Sequence, residues 1–401
     1  MNVLIIGGGI SGTAAGIALS RVGVPARIVE ARSPAQAAGG AFLAVAPNGV
    51  AALHTLGLHD LMDQAGGIAV PEIWFHNAAG DQIGHLQARG TDGASPTCLV
   101  RRGALQHELL GAARAVGVEI TFGARLVDLC QGGQDVTAVF DDGRTVTADL
   151  VLGCDGVHST TRRLALPTAP SPRYTGVLDC GAWTATGSLP DTTGQRMVWG
   201  RRAFFGYVTD RGTTYWFSNL AQAQEPRRGE LDALDGPGWL SRLRQLHGAD
   251  PAPVPQILAA ADSVLGVWSI YDLPNLATWH TGRVCLLGDA AHAASPSAGQ
   301  GASLALEDAA VLAMCLRDLP SPQEAFARFE QLRKPRAERV VAMGRRIGDR
   351  KIPSPAAAWL RDRLLPLFLR LGARQAREQY AYRIDWHDTL GPPPETPHRS
   401  G

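Results

Sequence analysis

Lysine is nearly missing from this chain of 401 residues: Lys334 and Lys351 are the only two, and arginine supplies the rest of the positive charge. Chemistry that needs a catalytic lysine therefore has two candidates, both in a polar C-terminal stretch. An excess of charge of either sign is missing as well. Lys+Arg is 38 against Asp+Glu 37, a net +1 that offers no electrostatic footprint for nucleic acid or an anionic membrane. Cysteine is sparse and scattered, at Cys98, Cys130, Cys154, Cys180, Cys285 and Cys315. With no CxxC pair and no Cys/His cluster, neither a zinc site nor a disulfide framework is expected, and a reducing cytoplasmic setting is. Long apolar runs are lacking too. Leu364–Leu371 comes nearest, is broken by Pro366 and Arg370, and falls short of the ~20 residues of a membrane helix. Val3–Ile6 is too short for a signal peptide and has no basic residues before it. The expectation is a soluble protein without stable membrane association; oligomeric state is not legible.

What is present points to a large folded core. Hydrophobic residues make up 45% and charged residues 19%, which excludes global disorder, and the length allows two or three domains. Residues 2–6 read as a fully buried strand, 11–21 as an alanine-rich helix and 26–30 as a second buried strand, together a βαβ unit. Residues 103–116 read as a helix followed by alternating strands, and 149–154 as another apolar strand running into a turn. From 173 to 220 the composition turns aromatic and β-prone, which suggests an antiparallel sheet. Residues 284–287 return to a buried strand, a helix follows from about 301 to 316, and the last forty residues hold one or two helices before a Gly-Pro-Pro-Pro tail expected to be disordered.

Three segments carry chemistry. Gly7-Gly8-Gly9-Ile10-Ser11-Gly12 is a G-x-G-x-x-G between a strand and a helix, with Glu30 closing the second strand. Gly7 allows the tight turn, Gly9 lets the backbone approach a pyrophosphate, Gly12 lets helix and strand pack, and a carboxylate at 30 can accept from both hydroxyls of a ribose. The second segment is Asp155-Gly156-Val157-His158-Ser159-Thr160-Thr161-Arg162. The third runs Gly288-Asp289-Ala290-Ala291-His292, then Pro296, Gly299-Gln300-Gly301 and Glu307-Asp308, where an Asp at a strand end can bind dinucleotide hydroxyls and the helix after 301 can face an anionic ring. His292, inside a binding motif, reads as structural rather than catalytic, and His158 equally as a solvent-facing turn residue.

In order and spacing these segments resemble the group A FAD-dependent monooxygenases, the flavoprotein aromatic hydroxylases, over almost the whole chain. Arg102-Gly103-Ala104-Leu105 also looks like that family's R-x-x-L; Ser303 departs from the Asn many members carry. The resemblance implies an α/β fold: a doubly wound, Rossmann-like FAD domain from 1–72, 97–172 and 276–350, interrupted by a β-rich substrate domain of 73–96 and 173–275, with C-terminal helices over 351–390 and the tail over 391–401. It implies non-covalent FAD, with Gly7, Gly9, Gly12 and Glu30 at the ADP half, Ser11 and Arg32 among the cofactor-binding residues, Arg102 near the isoalloxazine side, and the Asp155 segment contributing to FAD and transiently to NAD(P)H. Asp289 would serve the ribityl–pyrophosphate region, and Pro296, Gly299, Gln300, Gly301 and Ala302 the flavin ring, the helix end stabilising negative charge on the reduced flavin. NADPH or NADH would reduce the flavin, O₂ would add at C4a, and the hydroperoxide would pass one oxygen to a small aromatic or polycyclic substrate. The resemblance names no catalytic base. A second GxGxxG and a CxxxxC are absent, against disulfide-reductase-like enzymes; a W-x-W-x-I-P segment is absent, against a halogenase. A flavin-dependent reductase or oxidase of a hydrophobic substrate and a non-catalytic flavin-binding redox sensor stay open. The aromatic set Trp183, Trp199, Phe205, Tyr207, Trp216 and Tyr271 could line an apolar pocket, although half of any alternating strand points elsewhere.

Overall fold

The computed structural model describes residues 1–37, 39–90, 95–227, 229–348 and 355–391. Its central sheet has six strands in the spatial order His280–Thr281, Val284–Leu286, Leu150–Gly153, Val3–Ile6, Ala26–Glu30 and Glu119–Phe122. Val3–Ile6 pairs in parallel with both neighbours, and only His280–Thr281 runs antiparallel. Parallel strands covered on both faces read as unbroken apolar runs, and Val3, Leu4, Ile5 and Ile6 are all buried. Val3, Ile5, Leu150 and Leu152 face the helices Ile10–Arg21, Arg102–Ala115 and Gly301–Asp318. Leu4, Ile6 and Val151 face Leu126, Val136, Ala138 and Phe140 of a three-stranded antiparallel sheet. Ile10–Arg21 shows little amphipathicity because it is buried from Ser11 to Leu19, pressed between the central sheet and the helix Gly301–Asp318.

The aromatic stretch forms a seven-stranded sheet, ordered Gly266–Asp272, Arg173–Ala185, Thr213–Ala221, Phe204–Asp210, Gln195–Trp199, Glu72–His76 and Gln82–Gln87. It is antiparallel except where Gln195–Trp199 meets Glu72–His76, a strand from the distant early hairpin that joins in parallel. Strand alternation sorts the aromatic set. Phe205 and Trp216 point to the face packed against Trp239, Leu240, Leu243, Ile257 and Leu258 of the helices Gly236–His247 and Val254–Ala260. They are core. On that side Ser218 Oγ lies 2.8 Å from His247 Nε2, and His247 Nδ1 lies 2.7 Å from Asp250 Oδ2. This Ser–His–Asp trio has the residue types of a hydrolase triad, but Ser218 and His247 have no exposed surface, so it is a polar cross-link between sheet and helix.

The stretch read as merely polar contains a 27-residue helix, Pro322–Gly348. Its inward positions Phe326, Phe329, Arg333, Arg336, Val340 and Gly344 follow the helical period. Two of them are arginines, which hid the stripe. A last helix spans Pro355–Tyr380. The expected disordered tail lies, beyond Gly391, outside the described residues.

Candidate active site

Gly7–Gly12, Glu30, Asp155 and Asp289 stand at or just after the carboxyl ends of parallel strands, the end at which open α/β sheets bind ligands. Gly7 has φ +103°, and a side chain there would meet the Cys154 carbonyl oxygen at 2.4 Å, so the turn requires glycine. A Cβ on Gly12 would overlap the Gly7 carbonyl, whereas one on Gly9 would meet nothing within 4 Å. The loop is thus tight where helix meets strand and open where a phosphate would arrive. Glu30 accepts from the Gly8 amide at 2.7 Å and the Arg32 amide at 2.9 Å, which aligns its carboxylate with the glycine loop. Gln106, which the sequence did not flag, donates to the Gly8 carbonyl at 2.5 Å from one turn beyond Arg102. Ser11 is buried beneath the loop, its Oγ 2.8 Å from where a Cβ on Gly288 would stand.

Arg102 donates to the Gly39 carbonyl at 3.1 Å. Burial and the charge of exposed Arg32 pull its pKa down against the opposite pull of Asp289 and Glu30, so these four side chains share one electrostatic neighbourhood. Asp289 is open to water yet crowded by protein, as a group lining a deep cleft is. That crowding raises its pKa, and the charges of His292 and Arg102 oppose the rise. A Cβ on Gly301 would stand 3.9 Å from Asp289 Oδ1, which brings the late loop to the same cleft.

The middle motif turns out to build the walls. Asp155 accepts from the Ser159 hydroxyl and, at 2.9 Å, from the Thr161 amide, so both carboxylate oxygens serve the turn itself. Ser159 caps the helix Thr160–Ala165 by accepting from the Arg162 amide at 2.9 Å. Arg162, buried, reaches across to the Ala290 carbonyl at 2.8 Å and ties the second motif to the third. His292 is structural: its Nε2 lies 2.6 Å from Asp308 Oδ2, and the same oxygen accepts from the Gly288 amide at 3.1 Å. Burial alone would raise the Asp308 pKa, but His292 and Arg333 outweigh it and hold it down to about 2.

Behind the Pro296–Gly301 loop, Asn48 Nδ2 donates to Gln300 Oε1 at 2.9 Å and to Glu307 Oε1 at 2.7 Å. Glu307 in turn receives Arg336 Nε at 2.8 Å and lies 2.6 Å from Arg333 Nη2. Neither Asn48 nor the two arginines stood out in the sequence, because an isolated Asn and a polar-looking helix carry no motif. Gly299 adopts φ +61°, with nothing within 4 Å of an added Cβ. Pro296 is exposed on a short turn, and Ala302 is half-buried at the helix start.

Beside this loop a cavity opens toward the seven-stranded sheet, lined by Thr175, Val177, Asn219 and Ile270 on one side and Ser295, Pro296 and Ser297 on the other. Asn219 donates to Asp179 Oδ1 at 2.5 Å. At the rim Arg173 and Arg345 both pair with buried Asp272, at 2.7 and 3.0 Å; burial works to raise its pKa, and the two arginines bring it below the usual value. Next to Asn219 the sheet presents Phe217, Phe204 and Trp199, with ring centroids 6.1 Å (Phe204–Phe217) and 5.4 Å (Trp199–Phe204) apart, and Phe42 lies 6.3 Å from Phe217. Of the aromatic set only Trp199 belongs to this run; Trp183 carries Arg101 over its ring, and Tyr271 packs on His158.

Residues 1–343 match the family described as FAD binding domain. The chain is 33% identical to the aurachin C monooxygenase/isomerase of Stigmatella aurantiaca over 392 residues, 94% of this chain and 97% of that protein. It is also 33% identical to the 3-amino-4-hydroxybenzoate 2-monooxygenase of Streptomyces cremeus, over 87% of each. Among solved structures, Klebsiella pneumoniae HpxO complexed with FAD and uric acid superposes with a TM-score of 0.80 at 25% identity, covering 95% of this chain and 96% of that one.

Proposed function

This chain belongs to the FAD-binding-domain family and is an FAD-dependent monooxygenase, and from that premise we propose that it draws electrons from NADH or NADPH and inserts one oxygen atom of O₂ into a small aromatic or polycyclic substrate held between the Pro296–Gly301 loop and the seven-stranded sheet. The observation that supports this reading is that Arg102 shares its electrostatic neighbourhood with Glu30 and Asp289, that Gly301 approaches Asp289, and that a small hollow lies beside Pro296. The open space over Gly9 fits a pyrophosphate approaching free amides at a helix start. On this reading Glu30 would accept from a ribose, Asp289 would serve the ribityl chain, and the amides of Gln300, Gly301 and Ala302 would turn the positive pole of their helix to the pyrimidine edge of a flavin. Bound there, FAD would supply electron storage and the activated oxygen. The protein's own part is to hold it, to aim the substrate and to keep water out.

On the substrate side, Asn219 and the hydroxyls of Thr175, Ser295 and Ser297 can orient polar ring substituents, while Val177 and Ile270 offer apolar contact. That a relative is named for oxygenating an aminohydroxybenzoate supports a ring substrate with such substituents. The same reading divides the chain into cofactor segments 1–72, 97–172 and 276–350 and substrate segments 73–96 and 173–275, in a cytoplasmic enzyme. The test is aerobic oxidation of NADH and NADPH by the flavin-loaded protein over a panel of aromatics under ¹⁸O₂. Substrate-stimulated oxidation with one labelled oxygen in the product is expected. Oxidation without label incorporation favours a reductase or oxidase, and stoichiometric flavin with no pyridine-nucleotide oxidation favours a redox sensor.

A further inference from the structure

Asn48 opens the helix Pro47–Thr55 and is fully enclosed. Both protons of its Nδ2 are spent on two acceptors, Gln300 and Glu307, from the far end of the chain. Its Oδ1 is buried and has no hydrogen-bond partner among the described residues. A buried amide oxygen without a donor is a standing cost, and flipping the amide would be worse, since Oδ1 would then face two acceptors. The orientation is therefore set, and what it secures is the fork itself. One prong ends on a carboxylate immobilised by Arg336 and Arg333. The other ends on Gln300, which stands between Gly299 at φ +61° and Gly301 close to Asp289. Arg336 also donates to the Gln379 carbonyl at 3.1 Å, so the anchor extends to the last helix.

We propose that Asn48 is a positioning residue for oxygen transfer: it locks the Gln300 carboxamide to the Glu307–Arg333–Arg336 cluster and so sets the Gly299–Gly301 loop and the helix end against the cofactor. This rests on the reading under Proposed function. The fold does not depend on this fork alone. The Ala46 amide donates to Ser303 Oγ at 3.0 Å, and Gly49 packs so closely on Ser303 that a Cβ there would overlap it, which holds the two helices together independently.

The test compares Asn48→Leu, Gln300→Leu and the double variant as flavin-loaded enzymes, read by flavin content, the visible spectrum and midpoint potential of bound flavin, and H₂O₂ formed per NAD(P)H. Asn48→Leu is expected to keep its flavin, to shift spectrum and potential, and to raise the peroxide fraction several-fold. Gln300→Leu should do the same, and the double variant should be no worse than either single one. Wild-type spectrum, potential and coupling in Asn48→Leu overturn the proposal even if its melting temperature falls, as do effects that multiply in the double variant. Should leucine prevent folding, Asn48→Ser removes the fork without added bulk and carries the same comparison. A wild-type enzyme that never transfers oxygen overturns the reading of function, and the spectrum and potential still decide the role of Asn48.

Discussion

Glu30 closes the strand Ala26–Glu30 and Gly299 ends the turn Pro296–Ala298, and their variants should separate. Glu30 accepts from the Gly8 and Arg32 amides, and on the proposed reading it accepts from ribose hydroxyls as well. Charge-assisted bonds are worth roughly 1.5–3 kcal/mol each, so Glu30→Ala should weaken FAD by about 10- to 100-fold while the chain stays folded. Flavin occupancy and melting temperature on one preparation check this; a lower melting temperature with unchanged occupancy contradicts it. Gly299→Val forces a β-branched residue into a left-handed backbone at a cost of ~1–3 kcal/mol, even though the space beside it is open. The distant glycine loop is untouched, so this variant should retain most of its flavin and lose oxygenated product to H₂O₂. Wild-type product yield per NAD(P)H from flavin-loaded Gly299→Val would remove the loop from the reaction.

Between elements, the polar cross-links are as decisive as the apolar cores. The helix Gly236–His247 is tied to the sheet through Ser218, His247 and Asp250, and Asp250 Oδ1 also accepts from the Arg201 amide at 2.9 Å. Asp250→Ala strands two buried or half-buried donors and should destabilise the protein by about 2 kcal/mol, seen as a thermal midpoint lowered by about 2 °C. No ester hydrolysis that disappears in Ser218→Ala is expected, because no solvent reaches that serine. Such an activity, if measured, would mean the trio opens.

For the molecule as a whole, the buried charges joining Gly301–Asp318 to Pro322–Gly348 make stability depend on acid. The Asp308 carboxyl ordinarily ionises near 3.8 and is held down to about 2 in the folded chain. A folded pKa below the unfolded one stabilises the protein above the unfolded value, and that contribution is lost as pH falls through the folded value. It amounts to on the order of 2 kcal/mol and should disappear between about pH 4 and pH 2. Thermal midpoints across that window should fall more steeply in the wild type than in Asp308→Asn, which starts less stable but has no carboxyl to titrate. Parallel slopes would place the acid sensitivity elsewhere.

The amino-acid sequence alone determined the βαβ entry and the late strand and helix. Glycine-rich turns and short buried strands are local constraints, and the residues that satisfy them stand close together in the chain. Only the tertiary structure decided what each strand-end carboxylate bonds to. Asp155 and Asp289 look alike as strand-end acids, yet Asp155 is consumed by Ser159 and Thr161 while Asp289 stays open beside Gly301. The long helix Pro322–Gly348 was illegible because its inward face carries Arg333 and Arg336, whose partners Glu307 and Asp308 lie on another helix. The parallel joint between Glu72–His76 and Gln195–Trp199, and the Asn48 fork to Gln300, unite segments more than a hundred residues apart. Pairing at that distance is chosen by which charges and faces are left to satisfy once the local elements exist, and no spacing in the chain records it.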